Sequence, residues 1–163
     1  MSADSGEGDA FRVWLRFLRL DQRLRLSMGR ALRDVGLSIP QFDALSALSE
    51  RGGMTQRQLA QELFVTKGNV SGLIDRLVAA KLVERRSSAQ DRRSHSLFLT
   101  DKGERLAAAG FRVQKSYVDN SLGKLPPADL AALHALLGRW RDAAREAENG
   151  QKRPFDAAVP RAD

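Results

Sequence analysis

Between Thr55 and Ala80 two helical segments flank a two-residue turn, and that interval limits the possible folds more than any other part of the chain. Thr55 is a cap residue with Gln58 three positions on, the sequence mark of a capping box. Leu59, Ala60 and Leu63 then recur at the spacing of one helix face. Phe64-Val65 makes the turn. Thr66 caps the next segment, 66–80, where Val70, Leu73, Ile74, Leu77 and Val78 form a single apolar stripe. A short helix, a tight turn and a longer helix sharing one core have the dimensions of a helix-turn-helix. With that stripe buried, the second helix shows Lys67, Gly68, Asn69, Ser71, Gly72, Asp75 and Arg76 on its other face. Residues in the first turns of such a helix read bases: Lys67 reaches guanine acceptors and Asn69 has the amide geometry for adenine. Gly68 and Gly72 let the backbone approach a groove, although each costs a helix about 1 kcal/mol. Two plain packing helices would show the same spacing, so the neighbouring segments decide.

Those neighbours form a basic hairpin. Lys81-Leu82-Val83-Glu84-Arg85-Arg86 reads as a strand leaving the helix, and Ser96 to Leu99 returns. In the polar loop between them Asp91 braces the turn and Arg92 and Arg93 form the tip. Two arginines on a tight loop suit a narrow minor groove, where A·T-rich DNA concentrates negative potential. An ordinary solvated hairpin is the plain alternative.

Around this lobe the pattern is helical. From Phe11 to about Leu32, apolar residues recur three or four apart with arginines between them, and the stripe is wider than a lone surface helix needs. A second subunit is the simplest partner for the surplus face. Ser38 caps a helix carrying Pro40, Phe42, Leu45 and Leu48, which Gly52-Gly53 stops. Thr100 opens a long helix towards Leu122, and Pro126-Pro127 breaks it and starts a last one through Leu130, Leu133, Leu137 and Trp140. The expected organisation is a disordered N-terminus 1–9, dimerisation and support helices 10–50, a DNA-binding lobe 51–100, C-terminal dimerisation helices 101–148 and a disordered tail 149–163. The fold class is mostly α with a small β-hairpin wing.

Charge follows the same division. The formal net charge is +7; residues 51–105 carry eleven Lys/Arg against six Asp/Glu, whereas residues 1–50 balance at seven of each. A local basic excess is the footprint of a nucleic-acid binder, and the basic amphipathic helix that a membrane surface calls for is missing. No apolar run approaches membrane-spanning length and no signal core follows Met1, so a cytoplasmic protein is expected. With no cysteine, thiol nucleophiles, thiolate zinc sites and cysteine peroxide sensing are excluded. Enzyme readings lack parts: no phosphate-binding Gly-rich loop, no nucleophile elbow, and two histidines, His95 and His134, far apart in sequence. No metal site or cofactor is expected. His95 reads as a wing or core contact and His134 as a polar edge of the last helix.

The helix order, the run from Thr66 to Leu77, Leu82-Val83-Glu84-Arg85, and Asp91, Arg93, Leu97, Leu99 and Thr100 at their spacing resemble the MarR family of winged helix-turn-helix regulators, over about residues 10–147. Lys81 departs from the glycine usual there, which bears on where the helix ends. The resemblance implies a homodimer in which the N-terminal and last two helices interlock, helix 66–80 enters a major groove of double-stranded DNA, and Arg93 enters the flanking minor groove. It implies that Thr66, Ser71 and Arg76 hold phosphates with help from Gln56 and Arg57, and that Asp91 braces the wing. It also implies a repressor released by a small ligand, often an aromatic acid, bound between the dimerisation helices and the winged lobe. Trp14, Arg16 and Phe17 are candidates to line an anion pocket; dimer-interface packing is the other reading of each. A sequence-specific, ligand-responsive repressor on a pseudo-palindromic operator is the expectation. An architectural DNA binder and a helical protein-interaction dimer are the alternatives.

Overall fold

A computed structural model of the chain describes residues 5–87 and 95–151. Six α-helices run α1 Ser5–Asp34, α2 Ile39–Glu50, α3 Gln56–Glu62, α4 Lys67–Ala79, α5 Asp101–Asn120 and α6 Pro127–Gln151, with a 3₁₀ turn at Leu122–Lys124. Three strands, β1 Met54–Thr55, β2 Val83–Ser87 and β3 His95–Leu99, form an antiparallel sheet in the order β1-β3-β2. The chain divides into two units, Met1–Tyr117 and Val118–Asp163.

The core of the first unit is built from the stripes that the sequence marks. Leu32 of α1, Phe42, Leu45 and Leu48 of α2, Leu59 of α3, Val70, Ile74 and Leu77 of α4, and Val83 and Leu97 of the sheet are all buried. Helix α5 joins through small residues and one aromatic: Ala107 is buried, and Phe111 meets Phe42 edge-to-face with ring centroids 5.5 Å apart. Edge-to-face contact is a favoured geometry for paired aromatic rings.

Caps set the helix starts. Ser38 and Gln41 form a capping box at α2, and Thr55 and Gln58 form one at α3, where the Thr55 N–H donates to Gln58 Oε1 at 2.8 Å and the Gln58 N–H to Thr55 Oγ1 at 3.2 Å. Thr66 Oγ1 accepts from the Asn69 N–H at α4, and Thr100 Oγ1 from the Gly103 N–H at α5. Each bond satisfies an amide that the first helical turn leaves without a partner.

The helix ends explain two differences from the sequence reading. After α3, the Val65 N–H reaches Ala60 O and the Phe64 N–H reaches Gln61 O; after α4, Leu82 reaches Leu77 and Lys81 reaches Val78 in the same pattern. This is the Schellman arrangement, which places one residue in the left-handed region. Here those residues are Phe64 (φ 53°) and Lys81 (φ 58°), not glycines. The strand expected from Lys81 therefore begins at Val83: Lys81 turns the chain and Leu82 plugs the core behind it. The turn between α3 and α4 is likewise a Schellman closure. A third difference is β1, whose two residues pair with β3 as Met54 opposite Leu97. Finally, α1 starts at Ser5, inside the stretch 1–9 expected to be disordered. At the other end α6 runs to Gln151, past the expected boundary at 148.

Candidate nucleic-acid interface

Capping and the Schellman turn fix the first turns of α4, and through them the exposed side chains. Lys67, Gly68 and Asn69 are exposed, and Thr66 spends its oxygen on the cap. A Cβ added at Gly68 would meet nothing within 4 Å, and one at Gly72 would meet only Arg76 Nη1 at 3.8 Å. This face is therefore open for a surface to approach the backbone closely.

Beside it lies a cleft of about 450 Å³ lined by Thr55, Gln56, Arg57, Lys67, Ser71, Arg85 and His95. Three elements build it. The start of α3 gives Gln56 and Arg57, α4 gives Lys67 and Ser71, and the hairpin gives Arg85 and His95. The hairpin's contribution follows from its register: Val83 pairs with Leu99, Arg85 with Leu97 and Ser87 with His95. Alternation puts these six on one face of the hairpin, with Val83 and Leu97 buried and Arg85 and His95 exposed. Arg86 belongs to the opposite face, paired with Glu84 and stacked 4.4 Å above the Phe98 ring. Arg85 is held at 2.5 Å by Asp75 of α4. Among the described residues no ion pair or side-chain hydrogen bond engages Arg57 or Lys67. The cleft thus offers cations, a hydroxyl and an amide to an anion, and among the described residues no carboxylate lines it.

On its other flank α4 borders a cavity of about 570 Å³ lined by Arg25 of α1, Ile39, Pro40 and Asp43 of α2, Leu63 and Val65, and α4 residues from Gly68 to Arg76. Loss of hydration pushes the Asp43 carboxyl above its usual range, while the Arg25 charge pulls it back. Arg76 lines this cavity and not the basic cleft, so the structure separates it from Lys67, Ser71, Gln56 and Arg57. Asn69 also reaches its rim. The α4 N-terminus thus stands between a polar cleft and a largely apolar cavity.

Other expected site residues lie elsewhere. Trp14 and Phe17 neighbour each other on α1 at 6.5 Å between ring centroids, 46% and 40% exposed, and Arg16 is exposed on the same helix. Asp91, Arg92 and Arg93 fall outside the described residues. His134 lies on α6, in the second unit. Reading the sequence missed Arg85, His95, Arg25 and Asp43 as members of these sites. Period-two alternation back from the buried Leu97 would have found His95; nothing in the sequence marks Asp43.

A model of the MarR family matches residues 35–94. Over 115 residues the chain is 36% identical to the HTH-type transcriptional regulator TtmR of Methylorubrum extorquens, a match covering 68% of this chain and 56% of that one, so it spans little more than half of that relative. The crystal structure of the MarR family transcription regulator SP03579 superposes with a TM-score of 0.79 at 25% identity, covering 90% of this chain and 99% of that one. The transcriptional repressor CouR, solved bound to a 23-mer DNA duplex, superposes with a TM-score of 0.72 at 27% identity, covering 88% of this chain and 99% of its own.

Proposed function

The chain belongs to the MarR family of transcription regulators, and from that premise we propose that it binds duplex DNA as a homodimer and represses genes until a small effector releases it. One observation carries the reading: the open, glycine-bearing face of α4 lies directly beside a cleft that, among the described residues, is lined by cations and no carboxylate. In this reading the cleft seats the phosphate backbone through Gln56, Arg57, Lys67 and Ser71, while Lys67 and Asn69 address base edges in the major groove. Thr66 and Arg76 support the backbone to either side. Arg92 and Arg93 serve the minor groove and Asp91 braces their loop. The family's role is regulation rather than catalysis.

The dimer reading rests on large apolar side chains left exposed: Phe11, Trp14, Phe17 and Leu20 on α1, and Leu136 and Leu137 on α6. Each of these apolar faces suits a second subunit, and Trp14, Arg16 and Phe17 are assigned to that contact. Two copies of α4 then address half-sites roughly 10 bp apart on a pseudo-palindromic operator. An aromatic acid fits the 570 Å³ cavity, with apolar walls for a ring and Arg25 and Arg76 for a carboxylate. Filling it would displace α4 from the position that DNA needs. Among the described residues no helix is long and apolar enough to cross a membrane, which accords with a cytoplasmic regulator.

The test is titration, by fluorescence anisotropy, of DNA from upstream of the chain's own gene against a scrambled duplex. A preference of about a thousandfold with a steep salt dependence supports the reading. Equal affinity for both duplexes favours an architectural binder, and no binding at low salt favours an interaction dimer.

A further inference from the structure

We infer that His95 is a DNA-phosphate contact whose charge makes the affinity of this protein for DNA depend on pH. The inference rests on the DNA-binding reading above and adds to it a residue and a regulation. Leu99 and Leu97 hold β3 against the core, and His95 is the next residue on that face, exposed at the wall of the basic cleft. Among the described residues its ring makes no hydrogen bond and no ion pair.

The surroundings determine what the imidazole does. Facing it are Arg57 from α3, Lys67 and Ser71 from α4, and Arg85 from β2. The carboxylate of α4 on this side, Asp75, is already bound to Arg85. A phosphodiester in the cleft favours an imidazolium, whose ring N–H donates to its anionic oxygens. Imidazole is the side chain whose ordinary titration lies between about pH 5 and 8, so DNA binding takes up a proton in that range. By linkage, affinity rises as pH falls, approaching roughly tenfold per pH unit for each proton taken up. Each histidine that becomes charged also adds one phosphate neutralisation, which steepens the salt slope by about 0.9.

The chain has two histidines, which makes the test direct. Binding of a random-sequence duplex is titrated by anisotropy over a range of salt at about pH 6 and about pH 8. Wild type is expected to show the steeper slope and tighter binding at the lower pH. His95→Gln, a change at an exposed position, removes the difference. His134→Gln, a change on α6, keeps it. Firm binding by wild type with equal slopes at both pH values overturns the inference, as does a pH dependence that survives His95→Gln or disappears in His134→Gln. Absence of DNA binding at any salt overturns the DNA reading itself, an outcome distinct from these.

Discussion

Replacing Gly103 by alanine should destabilise the protein, against the usual sign of that substitution in a helix. A mid-helix Gly→Ala change ordinarily gains about 1 kcal/mol. At Gly103 the new Cβ would stand 2.0 Å from the carbonyl oxygen of Leu82 and 3.0 Å from its carbon. Both are backbone atoms, so no rotamer change relieves the clash; α5 must move by more than about 1 Å to restore ordinary contact. That movement pulls on the bonds tying the start of α5 to the end of α4: the Thr100 N–H to Leu82 O at 3.1 Å, Thr100 Oγ1 to Lys81 O at 2.7 Å, and Lys102 Nζ to Ala80 O at 3.0 Å. At about 0.5–1.5 kcal/mol net for each of the three bonds, breaking them outweighs the helix gain and leaves a deficit of about 0.5–3.5 kcal/mol. Urea unfolding followed by circular dichroism, at one fixed protein concentration, measures it. Gly72→Ala is the matched comparison, because its Cβ meets only the tip of Arg76 at 3.8 Å; it should stabilise by about 0.5–1 kcal/mol while weakening DNA binding. A Gly103→Ala protein as stable as wild type would show that α5 does not dock by backbone contact at this residue.

The left-handed residues give a second prediction. Lys81→Gly and Phe64→Gly should each raise the urea midpoint, by about 1 kcal/mol equivalent, since both side chains are exposed (Phe64 at 95%) and bury nothing that the change would remove. Thr55→Ala removes a reciprocal cap at α3 and should cost about 1 kcal/mol in the same assay. For Asp43 the sign follows from a carboxyl raised in the fold: its contribution to stability is full below the ordinary carboxylate value and is lost as pH rises through the folded value. Asp43→Asn should therefore flatten the stability profile across that acidic window, measured as urea midpoint against pH.

What the sequence made legible was what local chemistry determines. The caps at Ser38, Thr66 and Thr100, the capping box at Thr55, and the buried stripe of α4 all depend on residues within a turn or two of one another. The closures at Phe64 and Lys81 were hidden because glycine is the usual signal for a left-handed residue, and packing imposes that conformation here on side chains that do not prefer it. β1 escaped notice because two residues carry no alternation; it exists only because β3 lies beside it. In the site, the polar face of α4 could be read from helical spacing. The cleft could not, because His95 joins Arg57 and Lys67 only through the register of a hairpin whose strands lie seven residues apart in the sequence. Asp43 and Arg76 line one cavity from two helices that the sequence spaces far apart.

In the proposed reading the cleft and the tip of α4 divide the work: the first holds phosphates and the second reads bases. Binding of Arg57→Ala and Asn69→Ala to an operator duplex and a scrambled duplex, across a range of salt, separates the two roles. Arg57→Ala is expected to weaken both duplexes alike and to lower the salt slope by about 0.9 for each phosphate it no longer neutralises. Asn69→Ala is expected to weaken the operator by about 1–3 kcal/mol and leave the scrambled duplex unchanged. A uniform drop in affinity from Asn69→Ala, or an Arg57→Ala protein with an unaltered salt slope, would contradict that division.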